Sequence, residues 1–384
     1  MKKLCLSVLI SSLLLLLMTG CWNSKDIQDM AYVTAIGFDY ENDKIVTYVQ
    51  VLNFMNIAKG EAVEIGKNVP NWIGRGEGRS VTESLNSIYS TSQLRIFWGH
   101  VKAIVMTEKY MQDDDRIKET YDFINRYREI RYNILLYGTK EPLRDLFALK
   151  SLLHMSPIES AMDTPSQMYS QRSFILPVYG FKMLAQFNEP AEYAMLPSLS
   201  INSKAWTEDK MPKSLFRIDG AYFFNDYKLS GWLSEDDLEG ARWLQRKLER
   251  SAIHVPGKRN IDAAIVLIKP NTSVHHIVQN GIVPFNIKLT IEGYVDELVD
   301  NIAKKQIEEN AAKVLQTEMR LTFKKGLEIK ADVLRLGEVL YRENPKLWRS
   351  LSENGQFILN ENSVDSIDVK VNLQHSGKYK LRVN

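Results

Sequence analysis

A few groups of side chains in this sequence could do chemistry, and their spacing decides how far each can be taken. His275 and His276 are the one close histidine pair, and imidazoles are common zinc ligands. On an extended segment, neighbouring side chains point to opposite faces, so the pair is poorly placed to share one ion. His100, His154, His254 and His375 stand singly, an ordinary structural setting for histidine. Gly74, Gly76 and Gly78 precede a helix start beside Arg75 and Arg79, and such a stretch could cradle a phosphate. The spacing is neither G-x-x-x-x-G-K-[ST] nor G-x-G-x-x-G, so we read it as a flexible loop. Asp113-Asp114-Asp115 reads as a solvated charge run. No G-x-S-x-G or H-E-x-x-H occurs. Paired carboxylates of a wall-cleaving glycosidase would be distant in the chain and leave no local signature. These residues give no catalytic, metal-binding or cofactor-binding set.

Cys21 is different. Lys2 and Lys3 precede an uncharged run from Leu4 to Met18, short of the roughly 20 residues of a membrane span. A positive start, an apolar run and small residues before a cut form an export signal. Here Thr19 and Gly20 lead into Cys21, and "MTGC" looks like the lipobox of bacterial lipoproteins, with Met18 where leucine is more usual. That likeness implies residues 1–20 as a signal peptide cleaved before Cys21. Cys21 would then carry an S-diacylglyceryl group and an N-acyl chain. The chain has 2 cysteines and Cys5 lies in the signal, so the expected mature protein forms no disulfide and must rely on its core.

Lys and Arg number 49 against 47 Asp and Glu. Loss of Lys2 and Lys3 leaves a formally neutral chain, which argues against a nucleic-acid binder. Later apolar runs are strand-sized, "AAIVLI" at residues 263–268 being the longest, so the lipid is the expected anchor.

The elements around these residues suggest an α+β, mixed α/β chain of several domains. Residues 31–40 and 45–54 read as a hairpin, and Ser80 with Glu83 as a capping box. A strand follows at residues 101–106, a helix at 116–128 and another strand at "YNILLYG". A polar, Pro-containing stretch at residues 201–214 reads as a linker between an N-terminal α/β region, 21–200, possessing room for two subdomains, and a C-terminal α+β domain, 215–384. In the second unit, two strands surround residues 225–228, and Ser234 with Asp237 caps an expected helix reaching about residue 250. Leu233 and Leu238 would form its hydrophobic staple, and Glu235, Asp236 and Asp237 would sit at the positive end of its dipole. Strands are expected at 261–269, 284–294 and 366–373. The longest helix spans about 300–325, with Ile307, Ala311, Val314, Leu315 and Met319 on one stripe.

Taken together, several stretches resemble the Ger(x)C family of spore germination lipoproteins, the C subunits of GerA-type nutrient germinant receptors. "GCWNSKDIQDMAYVTAIGFD" is similar to the family's mature start, keeping Gly20, Cys21, Trp22, Ile27, Ile36, Gly37 and Asp39, with Asn23, Lys25 and Asp26 where Asp, Arg and Glu are usual. "WGHVKAIVM" resembles its Gly-His and strand through Gly99 and His100. "YDFINRYREIR" keeps Arg126 but has Tyr127 where an acidic residue is frequent. Gly220, Lys228, Gly231, Trp232 and Leu233 fit the opening of its C-terminal domain, and Asp332, Gly337, Pro345 and Trp348 a late motif. The resemblance implies a non-enzymatic, cofactor-free lipoprotein of three mixed α/β subdomains on the outer face of the spore inner membrane. Its implied partners are a multi-spanning A subunit and a transporter-like B subunit. A lipoprotein solute-binding module, with two similar lobes around a cleft, and an anchored wall hydrolase are the alternatives.

Overall fold

The computed structural model describes residues 30–52, 70–154, 160, 162–257, 263–278, 283–299, 302–353, 356–357 and 359–374. The first hairpin forms as expected, β1 (Met30–Glu41) pairing antiparallel with β2 (Lys44–Leu52). Asn42 and Asp43 turn it with φ of 49° and 59°, the left-handed pair that matches strand twist. β3 (Trp72–Gly78) adds to β2, so the glycines belong to a strand and not to a loop. Helix α1 (Val81–Tyr89) folds back across this strand. A Cβ at Gly76 would lie 2.1 Å from the Ser84 carbonyl oxygen, and one at Gly78 2.3 Å from its nitrogen. The glycines therefore admit a helix. Arg75 is held by Glu77 at 2.6 Å and Glu41 at 3.0 Å. Ser80 caps α1 through the Glu83 N–H, while the Glu83 carboxylate accepts from the Arg79 N–H at 2.8 Å instead of returning to Ser80. Gly76→Ala is expected to lower stability by about 1–3 kcal/mol through forced separation of α1 from β3, measurable by urea denaturation.

The chain continues through β4 (Arg95–Phe97), β5 (Ala103–Thr107), α2 (Glu108–Met111), α3 (Asp114–Arg126), β6 (Leu135–Thr139), α4 (Leu143–Ala148), α5 (Ser166–Gln171) and α6 (Gly180–Asn188). β1, β5, β6 and β7 (Ala194–Glu208) are mutually parallel, which requires helical crossovers between them. β8 (Met211–Asn225) and β9 (Lys228–Ser234) complete a nine-stranded mixed sheet in the order β3-β2-β1-β5-β6-β7-β8-β9, with β4 on β1. One face packs Ile36, Phe38, Ile104 and Leu136 under α1, α3 and α6; the other packs Ala35, Val105 and Tyr137 against Phe147 and Leu146 of α4.

Residues 201–214, expected as a linker, are instead the outer part of the β7–β8 hairpin. Their side chains are mostly exposed, so the apolar alternation that marks a buried strand is missing. Asn202 accepts from the Lys204 and Ala205 N–H groups at 3.0 Å, where the pairing register shifts. The helix expected from Ser234 is also absent. The Ser234–Asp237 capping pair forms, with the Asp237 N–H on Ser234 Oγ at 3.1 Å, and Leu233 and Leu238 are buried. Beyond it runs only a short 3-10 turn, Glu239–Leu244.

The cause lies in the longest helix, α7 (Lys304–Glu328). The Gly240 N–H donates to Thr322 Oγ1 at 2.9 Å, and Thr322 Oγ1 donates to the Asp237 carbonyl at 2.7 Å. Tertiary partners thus take groups that an α-helix would pair internally. A Cβ at Gly240 would meet Met319 Cα at 2.4 Å, so the turn is pressed onto α7. β10 (Ser251–Val255), β11 (Ala263–His276), β12 (Phe285–Leu298) and β15 (Val364–Gln374) form the second sheet, in which β15 runs parallel to β12. Ile307, Ala311, Leu315 and Met319 of α7 are buried in its core, with Val314 half-buried. α8 (Leu336–Glu343), α9 (Pro345–Leu351) and the two-residue strands β13 (Ser352–Glu353) and β14 (Gln356–Phe357) complete the described elements. The described residues thus form two mixed sheets and a small two-stranded ribbon.

Candidate functional site

The end of the first sheet where β1 begins carries an open groove of about 410 Å³. Three separate segments build it. Tyr89 ends α1, Arg95 and Ile96 lie on β4, and Tyr127 and Glu129 follow α3. Trp98 is buried at its base, its Nε1–H donating to Tyr89 Oη at 3.2 Å. The Tyr89 and Tyr127 hydroxyls are 2.8 Å apart. The Trp98 N–H donates to Glu129 at 3.0 Å, and Arg95 stands 3.7 Å from the same carboxylate. Burial, and then the Tyr89 hydroxyl, push the Tyr127 phenol above the usual tyrosine range, and the two hydroxyls share one hydrogen bond. Aromatic edges, hydroxyls and one ion pair suit binding. They do not provide a nucleophile beside a base.

The residues whose types could do chemistry in the sequence do not converge on this groove. Cys21 lies outside the described residues. His275 and His276 sit successively on β11. Asp113, Asp114 and Asp115 place ligand-capable oxygens within 4.8 Å of one another, but Asp113 caps α3 through the Asp115 N–H and Asp114 holds Lys118 at 2.7 Å. Of the acidic trio after Ser234, Glu235 is buried and bound by Arg172 and, at 3.0 Å, Arg217. No helix N-terminus is needed to explain it.

A second polar centre joins the two halves. Arg242 is 3% exposed and meets Glu318 of α7 at 3.1 Å; the Trp243 Nε1–H donates to Glu318 at 2.6 Å. The guanidinium lies 4.2 Å from the Phe174 ring centroid and 4.4 Å from that of Trp243. Nearby, Gly231 faces Ile329, to which an added Cβ would come within 2.8 Å. Leu233, Phe223 and Ala331 share one apolar cluster there.

Two buried acids carry a pH dependence. Burial pushes Asp163 up to about 7, against the opposing Ser160 hydroxyl bond and the Lys102 charge. Burial pushes Asp332 up to about 6, against backbone N–H donors including Gly337 at 2.6 Å. A raised carboxylate binds its proton more tightly in the folded state. Its stabilisation is complete below about pH 4 and is lost as pH rises through the folded value. Asp163→Asn is therefore expected to raise the melting temperature at pH 8 and to flatten the decline between pH 5 and 8. Each pKa unit is worth about 1.36 kcal/mol, and thermal melts at the two pH values read the difference.

Known protein families match this architecture in order. The family described as "Spore germination protein N-terminal domain" matches residues 23–201, and "Spore germination B3/ GerAC like, C-terminal" matches residues 219–377. The chain belongs to the Ger(x)C family of spore germination proteins. Spore germination protein KC of Bacillus subtilis (strain 168) is 25% identical over 374 residues, spanning 92% of this chain and 91% of that protein. Spore germination protein B3 of the same organism is 19% identical over 368 residues, covering 91% and 92% respectively. The crystal structure of the GerBC protein superposes with a TM-score of 0.54 at 17% identity, covering 91% of this chain and 99% of that one, a likeness of fold.

The Ger(x)C motifs divide by role. Gly220 and Gly231 allow close packing at the joint, where an added Cβ at Gly220 would lie 2.3 Å from the Leu233 carbonyl oxygen. Trp232 stacks under Lys140 Nζ at 3.5 Å. Asp332 and Gly337 secure the start of α8, Pro345 opens α9, and Trp348 is buried against Tyr341 at 5.1 Å. By contrast, Trp98 of "WGHVKAIVM" and Tyr127 of "YDFINRYREIR" meet in the groove, 5.8 Å between ring centroids. Sequence separation had hidden that meeting.

Proposed function

We propose that this Ger(x)C protein is the C subunit of a nutrient germinant receptor, held by acylated Cys21 on the outer face of the spore inner membrane. There it supports receptor assembly or signal coupling beside a multi-spanning A subunit and a transporter-like B subunit. The observation that carries this proposal is the ordered match of both family regions across residues 23–201 and 219–377, directly after the Gly20-Cys21 pair. Among the described residues no helix is long and apolar enough to cross a membrane, and acylated Cys21 would supply the anchor. Two or more acyl chains hold a folded domain stably on a bilayer. Confinement to that plane raises the effective concentration at membrane partners without strong protein contacts. The unlike sheets, and a groove at one end of the first, fit this role better than a two-lobed solute trap. Spores lacking the chain should lose their response to the receptor's nutrient and regain it with the wild-type protein. An unchanged nutrient response in spores lacking it and any related copies would refute the proposal.

A further inference from the structure

Exposed apolar side chains from several segments gather at one end of the first sheet, while Trp206 and Met211 are exposed at the tip of the β7–β8 hairpin at the other. Trp72, 65% exposed, begins β3 opposite Val51, and Leu94 directly precedes β4. Tyr132, 55% exposed, precedes β6 and accepts the Phe181 N–H at 3.2 Å; Phe181 is itself exposed. Leu153, 81% exposed, follows Leu149, whose carbonyl accepts from Asn71 beside Trp72. All border the end where β1 starts.

The same end is cationic. Arg95 pairs in register with Met30, and His100 packs 5.2 Å from Tyr32. The charges of Lys102 and Arg131 both act on His100, which places them around the first residues of β1. Arg128 is exposed in the same loop as Arg131. Glu129, in the same loop, is engaged by Arg95 and the Trp98 N–H. At the opposite end of the sheet the acids stand in ion pairs, Glu41 and Glu77 with Arg75 and Lys44, Asp113 with Arg116, and Asp114 and Asp115 with Lys118. The excess positive charge of Lys102, Arg128 and Arg131 therefore marks the β1-entry end.

We infer that the β1-entry end seats directly on an anionic bilayer surface. This inference rests on the proposed acylation of Cys21. Eight residues lie between Cys21 and Met30, a reach of at most about 30 Å, so the tether brings this end close to the headgroups. Aromatic rings favour the membrane interface, and surface cations favour anionic lipid. Together they orient the protein, with the charge-paired end pointing away from the bilayer.

The test uses the mature, acylated chain on vesicles of phosphatidylglycerol and phosphatidylcholine. No cysteine follows Cys21, so Tyr132→Cys or Asn42→Cys supplies a single free thiol for a fluorophore. A lipid-phase quencher should dim the probe at 132 severalfold more than the probe at 42. Lys102→Glu combined with Arg131→Glu should remove that difference while the chain stays attached. Equal quenching at both positions in the attached chain overturns the seating. So does protection at 132 that arises only when multi-spanning membrane proteins are added. Mass analysis of the N-terminal peptide reads acylation independently. If Cys21 proves unmodified, the rim alone must sediment the chain with phosphatidylglycerol but not phosphatidylcholine vesicles, and failure to do so overturns the seating as well.

Discussion

Glu318→Ala is expected to destabilise the protein by about 3–5 kcal/mol, the range for removing one partner of a buried ion pair. The Arg242 guanidinium would remain enclosed between Phe174 and Trp243 without its carboxylate, and the Trp243 Nε1–H would lose its 2.6 Å acceptor. Burial already pulls Arg242 below the usual arginine range while Glu318 and, less strongly, Glu239 pull it back, so removing Glu318 takes away the main opposing group. Glu318→Gln keeps an acceptor for Trp243 and should lose less. Replacing both partners, Arg242→Met with Glu318→Leu, should recover much of the loss, since apolar substitutes of similar volume often equal a buried pair. Urea denaturation of Arg242→Met, Glu318→Leu and the double variant gives the coupling. A near-additive cycle would contradict this account of the joint.

Cys21→Ala is expected to have the larger functional effect. Each buried CH₂ of an acyl chain contributes about 0.8 kcal/mol to membrane attachment, so loss of the thioether should move most of the chain to the soluble fraction. The folded domain should keep its melting temperature, because Cys21 precedes the first described strand. The seating surface retains an attachment to anionic lipid that is lost in high salt. Spores carrying the variant should germinate poorly on nutrient despite a folded protein. Fractionation of spore membranes in low and high salt, beside a thermal melt, separates anchoring from folding. Full retention on membranes in high salt would contradict the lipid assignment.

What could be read directly from the sequence was local. The β1–β2 hairpin announces itself because Asn42 and Asp43 tolerate left-handed backbone between two apolar runs. The stripe through Ile307, Ala311, Leu315 and Met319 identifies α7 because one face alone is buried. Misreadings arose where a distant partner decided the outcome. Gly74, Gly76 and Gly78 suggest a loop until α1 is laid against them. Ser234 and Asp237 form their cap, yet Thr322 takes the Gly240 N–H and stops the helix. Residues 201–214 pair as strands through backbone bonds, to which side-chain polarity is nearly blind. The groove was hidden for a related reason, since Tyr89, Trp98 and Tyr127 come from three segments and none carries a chemical signature alone. The expectation for Cys21 rests on a linear processing signal, and the residue itself lies outside the described residues.

The most direct test of the receptor assignment is a mild-detergent pull-down of the tagged chain from spore inner membranes, beside Cys21→Ala, with identification of what co-purifies. The account predicts that a multi-spanning subunit and a transporter-like subunit accompany the wild type and are depleted with the variant. Recovery of the wild-type chain alone, or with a soluble ligand and no membrane subunit, would contradict it.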